Sequence, residues 1–235
     1  MTTIPQTAQD AIERVIQEDE GGWKFTDRAD DAGGPTYGGM TWKTFNGWQD
    51  KQLPSGYGWT KSQFIEDARL NVVHLQRHIY RCYYDVFYLD CHIGDCPEFI
   101  QAAFLSMCIN AGKKEATKCL QMAVNHVFEN WPFATAAPLV ALIVDGHWGP
   151  RTHLAVNSSY VKQSGTGFKL AFSDAAMERY IRIAQQNARA WRDTAKEAKR
   201  AQNQNFVPHD IRLPRVLQSE NLMGWFNRAK KYRSM

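Results

Sequence analysis

The stretch "PEFIQAAFLSMCINAG" (97–112) constrains the fold more than any other part of the chain. Wound at 3.6 residues per turn it is apolar on nearly every side, so a helix here must be wrapped by other elements. A chain of 235 residues can supply that wrapping as one large domain or two small ones. The surrounding segments also read as helices. Residues 8–19 place Ala8, Ala11, Ile12, Val15 and Ile16 on one face, and Phe64, Ala68, Val72, Leu75 and Ile79 recur at helical spacing through 62–80. Further helices are expected from "TWKTFNGW" at Thr41, over 113–127, from Pro150, and from a Ser173 cap to about Asn203. "WPFATAAPL" (131–139) reads as a loop and "QNQNFVPHDIRLPR" (202–215) as a linker, before a final helix carrying Leu222, Trp225 and Phe226.

Strand signals are confined to residues 21–41, where Gly21-Gly22, Gly33-Gly34 and Gly38-Gly39 interrupt the chain. Gly21-Gly22 ends the first helix, since glycine is the usual residue just past a helix. The expected fold is therefore mainly α, with one small β-hairpin element next to the N-terminal helix.

The same stretch concentrates acids. Glu20 falls in the last turn of the first helix, where the negative end of the helix dipole disfavours a carboxylate. Trp23, Phe25, Tyr37 and Trp42 can add an apolar wall, and both effects raise a carboxyl pKa. A carboxylic acid kept protonated near neutral pH suits protonation of a departing glycosidic oxygen. A second carboxylate is then needed to stabilise the sugar cation or activate water. Asp27, Asp30 and Asp31 are the candidates, and Thr41 can hold the water. Taken singly, each aspartate also reads as a turn residue beside glycine. Thr41→Ala is expected to weaken turnover with little effect on stability.

As a whole, Glu20-Gly21-Gly22-Trp23 followed by Asp31-Ala32-Gly33-Gly34-Pro35-Thr36-Tyr37-Gly38-Gly39-Met40-Thr41 resembles the signature of the glycoside hydrolase family 108 muramidases. Trp23 stands where that family has Tyr, Ala32 where it has Pro, and Met40 where it has Ile. The segments 83–90, 102–125 and 144–157 resemble the peptidoglycan-binding half that accompanies the family. The resemblance implies a lysozyme-like helical fold with Glu20 as general acid and Asp31 and Thr41 as the water-positioning pair. It implies substrate contacts at Tyr37, Trp148 and Arg151, with no metal and no cofactor. The implied layout is a catalytic part over 1–92 and a peptidoglycan-binding-like part over 93–235, packed as one globular unit. The implied activity is cleavage of the β-1,4 bond between N-acetylmuramic acid and N-acetylglucosamine, in a monomeric endolysin. A secretion-associated muramidase of the same fold and a non-catalytic wall-binding module are the alternatives.

Charge and cysteine content bound the partners. The chain carries 28 Lys+Arg against 24 Asp+Glu. Residues 176–235 hold 13 basic against 5 acidic residues, leaving 15 against 19 in residues 1–175. A basic C-terminal quarter suits an anionic envelope surface. Nucleic acid is not an expected partner, because no aromatic interleaving or reading motif accompanies those charges. Cys82, Cys91, Cys96, Cys108 and Cys119 are an odd set and read as small buried thiols, with Cys91-His92…Cys96 lacking the second half of a structural zinc site. No apolar run reaches the roughly 20 residues that span a bilayer. The N-terminus has neither the basic nor the apolar region of a Sec signal. The expectation is synthesis in a host cytoplasm and action on the periplasmic wall after holin-type release.

Overall fold

Helix α5, Glu98–Ala111, is the buried helix that the apolar stretch requires: Ile100 through Cys108 are all shielded from solvent. It ends at Gly112, whose φ of +83° is easily adopted only without a Cβ. The computed structural model describes residues 3–27, 34–54, 56–130, 141–202 and 227–232. These form two compact units, one of residues 1–117 with 146–157 and the other of 118–145 with 158–235. The first unit takes in α5 because that helix is the surface against which the N-terminal elements pack.

In the first unit, α1 (Gln6–Arg14) buries Ala8, Ala11 and Ile12 and packs against α5, as does the π-helical turn Val15–Asp19 that continues it. Three two-residue strands follow, β1 (Phe25–Thr26), β2 (Thr36–Tyr37) and β3 (Met40–Thr41). They form an antiparallel sheet in that order, with Thr26 opposite Thr36 and Tyr37 opposite Met40. The expected hairpin is thus one edge of a three-stranded sheet. Next come α2 (Trp42–Gln52), α3 (Lys61–Arg69) and α4 (Val73–Tyr83), and a second π-helical stretch covers Tyr84–Leu89. Trp48 Nε1 and Arg81 Nε both donate to Asp85 at 3.0 Å, tying α2 to the end of α4.

The continuous helix read over 62–80 is two helices. The chain breaks at Leu70–Val72, where Asn71 takes φ +53°, a conformation asparagine tolerates better than most residues. Phe64, Ala68, Leu75 and Ile79 still all reach the core. Apolar spacing alone does not register the break, because both helices face the same interior.

Helix α6 covers Lys113–Asn130 and α7 covers Pro150–Val156, with proline in its first turn as expected. In the second unit, Asn125 clamps the backbone N–H and C=O of Leu142 at 2.7 and 2.9 Å, α8 is Ser159–Gln163 and α9 runs Gly165–Gln202. Ser173 does not cap α9 but lies inside it, and its hydroxyl donates to the carbonyl of Ala229 at 2.7 Å. That bond, with Tyr232 packed on Phe172, seats the short helical piece 227–231 on α9. The expected loop 131–139, the linker beyond Gln202 and the apolar trio Leu222, Trp225 and Phe226 lie outside the described residues. Among the described residues no helix is long and apolar enough to cross a membrane.

Candidate active site

The end of the first helix is built to present Glu20. Its N–H bonds back to Val15 O at 3.2 Å and Gly22 N–H to Ile16 O at 2.8 Å, so the last turn is wider than an α-turn. Such insertions change which way the following side chain points and are common at functional sites. Gly21 (φ +76°) and Gly22 (φ +82°) then reverse the chain in conformations that L side chains resist. Glu20 is half-buried.

Opposite Glu20 stands the turn of the β2–β3 hairpin. Gly38 (φ +53°) and Gly39 (φ +78°) are its two central residues, and positive φ at both marks the tight turn that matches strand twist. The glycines serve a second purpose, which is close approach. A Cβ on Gly39 would lie 2.3 Å from Glu20 Cγ and 2.7 Å from both Glu20 Cδ and the Tyr83 hydroxyl. A Cβ on Gly38 would lie 2.8 Å from the Trp23 ring. The backbone is pinned there from two sides: Tyr83 donates its hydroxyl to Gly38 O at 2.8 Å, and Gly38 N–H donates to Lys24 O at 3.1 Å.

Thr41 has an architectural task. It is the N-cap of α2, its Oγ1 accepting from Thr44 N–H at 3.2 Å and lying 3.0 Å from the Thr44 hydroxyl. The expectation that Thr41→Ala would leave stability nearly unchanged is corrected by this cap. Tyr37 is fully buried, its ring 5.4 Å from that of Trp23. Its hydroxyl donates to Asn71 Oδ1 at 3.0 Å and accepts from Gln76 Nε2 at 2.8 Å. Tyr37, expected as a substrate contact, braces the hairpin against the α3–α4 corner. Burial pushes its phenol pKa up, with the Gln76 bond opposing.

Of the candidate second carboxylates, Asp27 is exposed just beyond β1, while Asp30 and Asp31 lie outside the described residues. Trp148 is half-buried, its ring stacked on His92 at 5.5 Å and beside Phe104 of α5 at 6.1 Å. Arg151 is exposed in the first turn of α7. Among the described residues no hydrogen bond or ring contact joins Trp148 or Arg151 to Glu20 or the hairpin. All five cysteines are buried free thiols. The Cys108 thiol hydrogen-bonds Cys91 and lowers the Cys91 pKa, whereas burial raises that of Cys108. Among the described residues no three His, Cys, Asp or Glu side chains gather as metal ligands would.

Sequence reasoning singled out Glu20 and the glycines but did not single out Tyr83, Asn71 or Gln76. Only Asn71 carried a signal, as an asparagine inside an otherwise helical pattern.

Residues 13–112 match the model of the glycosyl hydrolase 108 family. Among solved structures, that of Brucella abortus SagA is similar, with a TM-score of 0.53 and 18% identity over 97% of this chain and 92% of that chain. At that identity the likeness speaks for the fold. No curated protein sequence matches the chain.

Proposed function

We propose, from the premise that residues 13–112 are a glycosyl hydrolase 108 domain and the chain a glycoside hydrolase acting on peptidoglycan, that the bond it cuts is the β-1,4 link from N-acetylmuramic acid to N-acetylglucosamine. The observation that carries this reading is the setting of Glu20, half-buried at the carbonyl end of a helix and held against the Gly38-Gly39 turn. Such a place disfavours a charged carboxylate and favours the acid form. Glu20 gives its proton to the glycosidic oxygen as the C1–O bond breaks, and positive charge grows on the sugar carbon and ring oxygen. Asp31, in the position of the family's Asp-x-Gly-Gly, stabilises that charge or takes the proton of the incoming water. Thr41, at the end of the same hairpin, orients the water by its hydroxyl while capping α2.

The hairpin's rigidity supports this assignment. Tyr83, Lys24, Asn71 and Gln76 fix it by hydrogen bonds to Gly38 and Tyr37, which supports a fixed spacing of Thr41, at its end, to Glu20. In the same reading the enzyme is an endolysin released to the wall through a holin-type opening, with its basic C-terminal quarter held to the anionic envelope. What supports this setting is the resemblance of the 20–41 motif and the 13 basic residues among the last sixty. Mass analysis of muropeptides after digestion of purified sacculi tests the bond. Fragments ending in reducing N-acetylmuramic acid are expected, and fragments ending in reducing N-acetylglucosamine would refute the assignment.

A further inference from the structure

Helix α4 has two working faces. Leu75, Ile79, Cys82 and Tyr83 enter the core, while Val73, Gln76, Arg77 and Tyr80, spaced at i, i+3, i+4 and i+7, line a cavity of about 450 Å³. Ile4, Gln9 and Trp23 form its other walls. That volume falls in the range of small-ligand sites.

The lining is not that of a packing defect. Arg77 is exposed and makes no ion pair with any described residue. Gln76 spends its amide nitrogen on the Tyr37 hydroxyl, and no described donor reaches its amide oxygen. The Tyr80 hydroxyl donates to Gln9 O at 2.5 Å, which fixes the wall between α4 and α1. Burial raises the Tyr80 pKa, with Glu13 and Asp10 adding to it, so the phenol stays neutral; neither carboxylate lines the cavity.

Trp23 connects this cavity to the catalytic turn. The same ring that lines it meets Gly38, and the next residue, Gly39, abuts Glu20. A polymer chain held at Glu20 therefore has a pendant pocket beside the point of cleavage. Peptidoglycan differs from other β-1,4 glycans in carrying a short peptide with free carboxylates on alternate sugars. Sugar hydroxyls do not call for a guanidinium, whereas a carboxylate matches its planar fork.

We infer that the Trp23–Gln76–Arg77 cavity is a subsite for the peptide stem of the substrate. Arg77 takes a stem carboxylate, the Gln76 amide oxygen takes a stem N–H, and Trp23 and Val73 cover a small apolar side chain. This rests on the peptidoglycan reading above and adds the part of the substrate that the enzyme recognises besides sugar.

The test compares soluble glycan strands with peptides intact against the same strands stripped by an amidase. Arg77→Ala should raise KM on the peptide-bearing strands about tenfold, the worth of one charge-assisted hydrogen bond, with kcat held. On stripped strands it should match the parent enzyme. Val73→Trp, which fills the cavity from an exposed position, should give the same split. An Arg77→Ala enzyme with the parent's KM on both substrates, or an equal loss on both, would overturn the inference. A parent enzyme that cleaves neither strand would overturn the functional reading and the subsite with it, whereas a parent enzyme that cleaves stripped strands as well as or better than peptide-bearing ones would overturn the subsite alone.

Discussion

Gly39 and Glu20 share a space that only glycine leaves open: a Cβ on Gly39 would stand 2.3 Å from Glu20 Cγ. The hairpin turn and the end of the first helix thus fix one another. Everything proposed for the chemistry depends on that closeness.

Gly39→Ala should therefore damage activity more than folding. The positive φ costs about 1–2 kcal/mol, and the methyl group must also push Glu20 or Tyr83 aside. A misplacement of about 1 Å near the reacting groups can cost about 10²-fold in rate. Gly56→Ala is the control, since Gly56 has a similar φ of +87° but nothing within 4 Å of its built Cβ. It should lose similar conformational free energy in a melt and keep full turnover.

Thr41 separates a cap from a water-holder. Thr41→Ala should lower stability by about 1 kcal/mol, the usual worth of an N-cap, and also slow turnover. Thr41→Ser should retain most of both. Denaturant melts alongside rates would show whether the two losses go together. If Thr41→Ala melts like the parent, the cap assigned here does not contribute.

The Tyr37 hydroxyl bridges Asn71 and Gln76. Tyr37→Phe leaves both amides short of a partner and should cost about 1–3 kcal/mol. Burial raises the Tyr37 pKa above its ordinary 10.0, so the stability it confers is fully present below that pH and declines as pH rises through the raised folded value. Tyr37→Phe should accordingly flatten part of the alkaline loss of stability. An unchanged alkaline profile would remove Tyr37 from that account.

The hairpin brace shows where the sequence was readable and where it was not. Gly-Gly pairs announce turns locally, and the alternation of helices with one small β element follows from apolar spacing. Tyr83 and Asn71 meet the hairpin from 45 and 34 positions away; Asn71 stands out locally as an asparagine in a helical pattern, but nothing in either neighbourhood names the hairpin as its partner. The π-turn before Glu20 escaped for a related reason, since one extra residue hardly alters an apolar stripe that ends at Ile16. Ser173 looked like a cap because serine favours helix starts, yet its hydroxyl is committed to Ala229, 56 residues on.

Among the acids, Asp31→Asn should reduce activity far more than Asp27→Asn. Asp27 is exposed at the end of β1, whereas Asp31 occupies the family's Asp-x-Gly-Gly position. Rates on sacculi for Asp27→Asn, Asp30→Asn and Asp31→Asn decide the order. A larger loss at Asp30 would reassign the second carboxylate.

The central claim is that Glu20 supplies the proton, and one comparison addresses it directly. Glu20→Gln keeps the size of the side chain beside Gly39 and removes the transferable proton, a contribution of about 10²–10⁴-fold in general acid catalysis. Turbidity loss of purified sacculi should fall by at least about 10²-fold while the melting transition stays in place. A Glu20→Gln protein that still clears sacculi at half the parent rate or more would contradict the account.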